Sequence, residues 1–363
     1  MTAIFILLVL ALAFVYINGF HDTANSIATV VATRALSPRQ AIVLATMTNL
    51  VGALVGTAVA ETMAHDLVGA SVITTNTIIC ALLGAIVWDL LTWWWGLPTS
   101  SSHALVGALC GAALASAHSN WSEIVWVAPA GAHWWQGNGL VFKVIIPMFV
   151  SPVLGLVGAY LASGLFYLLL RNWNVERVDR VFGRLQIFSG GYIGFAHGHN
   201  DAQKTLGVMV LALVAATKAG ALDQLPAWLG FLRMSETAAG DQLQVSVWLQ
   251  IACAVALAAG TAAGGWRIIL TMGRRITQLK PIHGFTAETT AATVLTAAAA
   301  WGFPVSTTHT ITAAVAGVGA SRRFNALHMG MVEKILWAWL FTLPASALVA
   351  YLAMQLFRVF GLK

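Results

Sequence analysis

The chain has 363 residues, of which only 9% are charged and 59% are hydrophobic, with a mean hydropathy of +0.80. Soluble domains carry about 25% charged residues, so a water-soluble globule is excluded, and at about 20 apolar residues per crossing the chain has room for around ten membrane segments or re-entrant half-crossings. The net charge of +6 resides in loops, where it bears on topology and membrane-surface contact and not on nucleic acid.

In chain order, Met1 to Asn18 runs without a cleavage region into the polar text Gly19-Phe20-His21-Asp22-Thr23-Ala24-Asn25-Ser26, so it reads as a retained half-helix and not a signal peptide. Met1 to Gly19 and Thr23 to Ala35 are expected to be two halves of one helix, interrupted at Gly19 to Asp22. Irregular backbone at membrane depth is tolerated only where it lines protein or a wet cavity, so the break would line a site. Ser37-Pro38 opens the next helix, to about Met63, with Thr46, Thr48 and Asn49 inside it. Thr74 to Trp95 is a further span that closes on three tryptophans; its Asp89 reads as a solvated end residue.

Gly96 to Gly111 places Pro98, four consecutive hydroxyls from Thr99 to Ser102, and His103 in one run. This suits the turn and helix N-terminus of a re-entrant hairpin, where free N–H groups and hydroxyls point at something negative. Ser119 to Asn138 is a Trp- and Gly-rich interfacial loop, and Leu140 to Leu170 is a tilted or kinked span containing Pro147 and Pro152. Arg171 to Arg184 is the one clearly hydrophilic linker. It divides a first membrane repeat, 1–170, from a second, 185–363.

The second part crosses Phe195 to Thr205, which sets His197, His199, Asp201 and Lys204 in apolar text and continues to about Thr217. A charged side chain at mid-bilayer depth costs about 2.5–3.5 kcal/mol, so residues kept there are expected to be used. A polar loop from Gly220 to Leu243, a span from Gln244 to Gly264 and a basic loop from Trp266 to Lys280 follow. Glu288 lies in the next apolar stretch, Gly302 to Ala313 reads GFPVSTTHTITA, Arg322-Arg323 closes that element, and Met331 to Phe357 is the last span. Cys80, Cys110 and Cys253 sit in apolar helical text without ligand spacing and imply packing, with no disulfide or metal framework.

Two signatures occur twice in the same order. Asp22 matches Asp201, Asn25 matches Lys204, and the run Pro98, Ser100, Ser101, Ser102, His103 matches Pro304, Ser306, Thr307, Thr308, His309. Internal duplication of this kind belongs to secondary transporters whose discontinuous helices meet near the bilayer midplane. The expected fold is therefore an all-α polytopic membrane protein, an inverted repeat with broken helices and two re-entrant hairpins. Arg34 and Arg39, Arg171 to Arg184, Arg267 to Lys280 and Arg322-Arg323 assign their loops to the cytoplasm, which makes the two Asp-bearing segments cross in opposite senses and leaves both termini extracytoplasmic.

Hydroxyl-bearing helix N-termini favour a tetrahedral oxyanion, whereas two carboxylates beside it repel one. The conflict points to coupled symport or to a neutral metal–anion complex as cargo. Against this stand structural readings: the Ser/Thr runs bonding back to helix carbonyls, His103 and His309 packing or capping, and His21, His197 and His199 either capping helices or titrating.

The texts GFHDTANS, GLPTSSSH, HGHNDAQKT and GFPVSTTH resemble the duplicated signatures of the PiT family of inorganic phosphate transporters, in order and over almost the whole chain. The resemblance implies an inverted-repeat symporter of the bacterial inner membrane that carries phosphate with sodium or protons, with no cofactor; a homodimer is allowed and not required. Carried over by motif position, Asp22, Thr23, Asn25, Asn200, Asp201, Lys204 and Thr205 serve substrate, and Ser100 to Ser102 with Ser306, Thr307 and Thr308 line phosphate. Asp22, Asp201, Glu288, Asn49 and His21 serve the coupling ion, Asn49 standing where some members have a second Glu. His21 and Gln203-Lys204 depart from the usual signature and look like the bacterial low-affinity branch, which is similar to proton-driven carriers of metal–phosphate. A lysine ammonium where an oxygen ligand would sit speaks against a symmetric sodium pair. The competing readings are a sulfate or other oxyanion permease, an intramembrane Ser/His/Asp hydrolase, which leaves the duplication unexplained and lacks a G-x-S-x-G elbow, and a passive channel, which needs no paired carboxylates.

Overall fold

Residues 2–65, 67–69, 72–128, 137–223, 225–234, 245–322 and 327–361 are described in a computed structural model. Part of the Trp- and Gly-rich loop, most of the second half of the polar loop after Gly220, and Arg323 lie outside them. Helix starts follow local capping chemistry. Ser37 caps α2 (Pro38–Ala53) with a capping box to Gln40, Thr74 caps α4 (Thr75–Trp95), Ser100 caps α5 (Ser101–Ser116) and Asn174 caps α7 (Val175–Lys218). The remaining helices are α1 (Thr2–Ala32), α3 (Ala58–His65), α6 (Ile146–Leu169), α8 (Val247–Ala263), α9 (Trp266–Leu270), α10 (Pro281–Ala300), α11 (Thr307–Arg322) and α12 (Met329–Val359). Among the described residues the only β-type pairings are isolated bridges at Val68–Ile124 and Ala128–Asn138.

Four stretches, α1, α4, Val141–Leu169 and α12, are long and apolar enough to cross a bilayer, and Val247–Ala263 with Trp266–Gly273 makes a further one bent by 60°. Large apolar side chains such as Phe149 and Leu161 on α6 and Phe341 and Leu348 on α12 face outward, while Asp22, Lys204 and Glu288 are buried. An apolar exterior around a polar interior is the arrangement a lipid solvent demands. The structure is thus an all-α polytopic membrane protein.

The expected hairpins form. α4 ends on Gly96 in the left-handed region at φ 67°, and the chain turns through Pro98 into α5; α10 ends near Gly302, at φ 70°, and turns through Pro304 into α11.

The interruption expected at Gly19 to Asp22 is not there. α1 runs unbroken from Thr2 to Ala32, and α7 runs unbroken for 44 residues, through Phe195 to Thr205. The signature glycines serve close helix packing instead of a break. A Cβ on Gly19 would lie 2.3 Å from the Leu257 carbonyl oxygen, and one on Gly260 would lie 2.0 Å from that of Tyr16. The same contact recurs between α7 and α2: a Cβ on Gly198 would lie 2.1 Å from the Asn49 carbonyl oxygen, and one on Gly52 2.1 Å from that of Phe195. In both pairs each glycine faces the carbonyl three residues before its partner glycine. Small residues permit this approach, and in lipid van der Waals packing is what joins helices.

The backbone breaks lie in the partner helices. The single helix expected from Pro38 to Met63 is split into α2 and α3, where the freed groups are taken up by α7: His199 Nδ1 and Gln203 Nε2 bond the Val55 carbonyl at 2.6 and 3.1 Å, and Val59 N–H donates to Gln203 Oε1 at 3.0 Å. The other break separates α8 from α9 at Gly264-Gly265, beside Phe20 and His21. The linker from Arg171 to Arg184 is helical from Val175 onward, because Asn174 caps it and Glu176 sits in its first turn, favourable to the helix dipole.

Candidate functional site

Helical spacing on α7 sets His197, Asp201 and Lys204 on one face, four and three residues apart. α1 presents Asp22 and Asn25 to them, and the N-termini of α5 and α11 close the site. The Lys204 ammonium donates to Asp201 Oδ1 at 2.5 Å, to Ser102 Oγ of the first hairpin at 2.6 Å and to the Val305 carbonyl of the second at 2.6 Å. An ammonium has three donors, and all are spent. Thr307 Oγ1 donates to Asp201 Oδ2 at 3.1 Å, Thr308 Oγ1 donates to Asp22 Oδ1 at 3.3 Å, and Asn25 Nδ2 donates to Thr308 Oγ1 at 2.9 Å. These hydroxyls do not bond back to their own helix. Ser100 and Ser306 act otherwise: their oxygens accept the N–H of His103 and His309 at 3.2 and 3.1 Å and cap α5 and α11.

His197, for which the sequence leaves capping and titration open and which is not among the expected site residues, joins the cluster. Its Nδ1 lies 2.7 Å from Asn49 Oδ1, an acceptor, so the ring hydrogen there donates to Asn49. Nε2 consequently faces Asp201 Oδ2 at 3.1 Å and Asp22 Oδ2 at 3.9 Å. Asp22, His197 and Asp201 each bring a ligand atom to within 4.8 Å of the others. A bare lone pair between two carboxylates is unfavourable, so the arrangement calls for a proton on Nε2 or a cation among the three. Two carboxylates and an imidazole held by an outer-shell amide suit a divalent ion, whereas the ammonium of Lys204 on Asp201 opposes one. The signal available in the sequence was the four-residue step from His197 to Asp201.

His21 Nδ1 lies 2.8 Å from Asp22 Oδ1, and its Nε2 lies 3.2 Å from Thr92 Oγ1 of α4. The Thr23 hydroxyl is shared between the Gly19 carbonyl of its own helix at 2.6 Å and the Thr261 carbonyl of α8 at 3.3 Å. Asn49 also donates to Thr261 Oγ1 at 3.2 Å, which joins α2 to α8. Glu288 accepts from Gln186 Nε2 at 3.0 Å and, at closer range, from Thr29 and Ser189, so α10 is tied to α1 and α7. Asp89, expected at a solvated end, is completely buried, with Ser101 of α5 and His21 of α1 as polar neighbours; α5, α12 and α1 pack against α4, the helix that carries it.

Several groups picked out by the sequence remain unsatisfied: Asn25 Oδ1, Ser101 Oγ, both amide atoms of Asn200 and Thr205 Oγ1 are buried without a partner. Buried polar atoms are ordinarily paired, and these orphans among the signature residues are groups that a polar ligand would satisfy.

A membrane-embedded helical protein with an enclosed cluster of acids, hydroxyls and a lysine is of the transporter class. A profile described as "Phosphate transporter family" matches residues 18–350. The chain is 37% identical over 350 residues to a "Probable low-affinity inorganic phosphate transporter" of Bacillus subtilis (strain 168), covering 96% of this chain and 95% of that one. It is 41% identical over 352 residues to a protein of the same description from Rhizobium meliloti (strain 1021), covering 95% and 94%. A solved structure titled "The sodium-dependent phosphate transporter" superposes with a TM-score of 0.81 at 22% identity, covering 99% of this chain and 100% of that one. The chain belongs to the phosphate transporter family.

Proposed function

We propose that the protein carries inorganic phosphate across a bacterial inner membrane by symport with a cation, and that the cation is a proton. The observation that carries the coupling assignment is Lys204. At the place corresponding to Asn25, whose carbonyl oxygen is free, the second signature holds an ammonium hydrogen-bonded to Asp201 and to both hairpins. It supplies as a fixed charge what a second sodium ion would supply as a bound one, and an ammonium offers no lone pair to a metal. Asp22, Asp201 and Glu288 still leave the interior rich in carboxyls, so a dianion enters only with compensating positive charge. His197 between Asp22 and Asp201 is a carrier for that charge. The same triad supports a second cargo, phosphate with a divalent metal, for which the two carboxylates and imidazole are the receiving groups.

Phosphate is favoured over sulfate by the unpartnered acceptors. Asn25 Oδ1 and Asn200 Oδ1 ask the ligand for a hydrogen-bond donor, which HPO4²⁻ and H2PO4⁻ have and sulfate lacks. The test is uptake of labelled phosphate or sulfate into proteoliposomes under an inward sodium gradient, an inward pH gradient, or neither, with and without magnesium, and with an uncoupler. Uptake of phosphate that follows the pH gradient and collapses with the uncoupler is expected. Stimulation by sodium with indifference to the pH gradient overturns the coupling assignment, and equal uptake of sulfate overturns the substrate.

A further inference from the structure

We propose that the basic face of the protein holds a second anion site, which takes a phosphate group, in the pocket where the end of α6, the starts of α7 and α10 and the end of α11 meet. The pocket is about 270 Å³, and Arg171, Lys280 and Arg322 line it together with Tyr167, Trp173 and His283. Asp179 is the one carboxylate among its lining residues. Among the described residues none of these three cations has a carboxylate within pairing distance. The positive charges of Arg322 and Lys280 both bear on His283. Arg322 donates to the Gln278 carbonyl at 3.2 Å, and three cations without a carboxylate partner on one open pocket hold a positive potential that an anion relieves.

The floor of the pocket is a fixed chain of hydrogen bonds. The Lys280 N–H donates to His283 Nδ1 at 3.0 Å, which makes Nδ1 the acceptor and places the ring hydrogen on Nε2. Nε2 then donates to the Tyr167 hydroxyl at 2.9 Å, and Ser321 of α11 is a further hydrogen-bond partner of that hydroxyl. His283 is only 3% exposed, so this neutral chain is fixed from behind while the guanidinium groups stand at the mouth. Charges that merely set topology need lie only in loops, without a shared pocket and a buried hydrogen-bonded chain behind them. The wall formed by Phe166, Leu170 and Trp173 is apolar and lies at the end of a membrane helix, the environment of a lipid headgroup and its first acyl carbons.

The pocket is separate from the central site. Asp179 and Asp201 lie on the one helix α7, 22 residues apart in sequence, and a rise of 1.5 Å per residue puts them roughly 33 Å apart along the helix. The phosphate group can belong to an anionic lipid or arrive as free phosphate from the basic side. In the second case the site senses the transported product class.

The full chain is reconstituted in nanodiscs of phosphatidylcholine with or without phosphatidylglycerol, and retained lipid is counted by native mass spectrometry for wild type, K280Q, K280Q/R322Q, K280R and R39Q. Arg39 is an exposed cation in the first turn of α2, outside the pocket. In parallel, the melting shift produced by inorganic phosphate is compared between wild type and K280Q/R322Q in neutral detergent. Phosphatidylglycerol retention is expected to fall about tenfold or more in K280Q/R322Q, in part in K280Q, and to hold in K280R and R39Q. Loss of lipid retention assigns the site to a lipid headgroup, and loss of the phosphate-dependent shift alone assigns it to free phosphate. Equal retention and equal shifts in wild type and K280Q/R322Q overturn the proposal, as does an equal loss in R39Q, which would trace binding to the charge of the whole face.

Discussion

Replacing Lys204 with methionine, similar in length and without charge, tests how the site is held together. The side chain is 1% exposed, and its ammonium links α7 to Asp201, to Ser102 and to Val305. Removing one partner of a buried ion pair costs about 3–5 kcal/mol, because the other charge is left uncompensated. Thr307 and His197 still support Asp201, at 3.1 Å each, so the lower end, about 3 kcal/mol, is expected for K204M. D201N/K204M removes both charges and should recover most of that loss, since a neutral pair leaves no buried charge unpaired. The assay is denaturant or thermal unfolding in detergent of wild type, D201N, K204M and the double variant as a cycle. A K204M protein within about 1 kcal/mol of wild type, or a double variant no more stable than K204M, refutes the assignment of this pair as the electrostatic keystone of the site. Transport should remain lost in the double variant, because stability is restored without the charge that balances the substrate.

Asp22→Asn and Asp201→Asn are each expected to abolish phosphate uptake while the protein still inserts, since removing a carboxylate from the membrane interior lowers insertion cost; normal uptake by either variant would remove it from the site. Ser101→Ala and Thr307→Ala should weaken phosphate binding roughly ten- to a hundredfold, the worth of one hydrogen bond to a charged group at about 1.5–3 kcal/mol, and unchanged binding in both would return these hydroxyls to a structural role. Gly260→Ala should destabilise the protein by roughly 1–3 kcal/mol, because its Cβ would lie 2.0 Å from the Tyr16 carbonyl oxygen and α8 must move off α1; an unchanged unfolding midpoint would show that the contact is loose. Asp89→Asn should raise the unfolding midpoint, because it replaces a fully buried carboxyl with a neutral amide, and a lowered midpoint would show that the carboxyl's interactions with Ser101 and His21 outweigh the cost of burying it.

The class of protein, most of its helices and the polar residues that the structure buries were legible in the sequence for reasons local to the chain. Hydropathy requires a membrane, capping residues such as Ser37, Thr74 and Ser100 set helix starts, and paired runs of Pro, hydroxyl and His identify hairpins wherever the chain folds. The glycine signatures misled, because a glycine in a hydrophobic run has two physical uses: a break in its own helix or room for another. That choice depends on what lies opposite. Gly19 and Gly198 turn out to admit the carbonyl oxygens of Leu257 and Asn49, and the breaks fall in the partner helices, where Gln203 and His199 can serve the freed backbone of Val55 and Val59. Asp89 lies near three tryptophans that suggest an interface, yet it is fully buried in a helix against which α5, α12 and α1 pack, and that packing has no trace in its sequence neighbours. The partners of Lys204 lie at Ser102 and Val305, about a hundred residues away in either direction. A sequence names the groups a site needs, because charge in lipid is too costly to keep without use. Their pairing is settled only when the helices pack, since each hydrogen bond depends on separations of a few tenths of an ångström between distant segments.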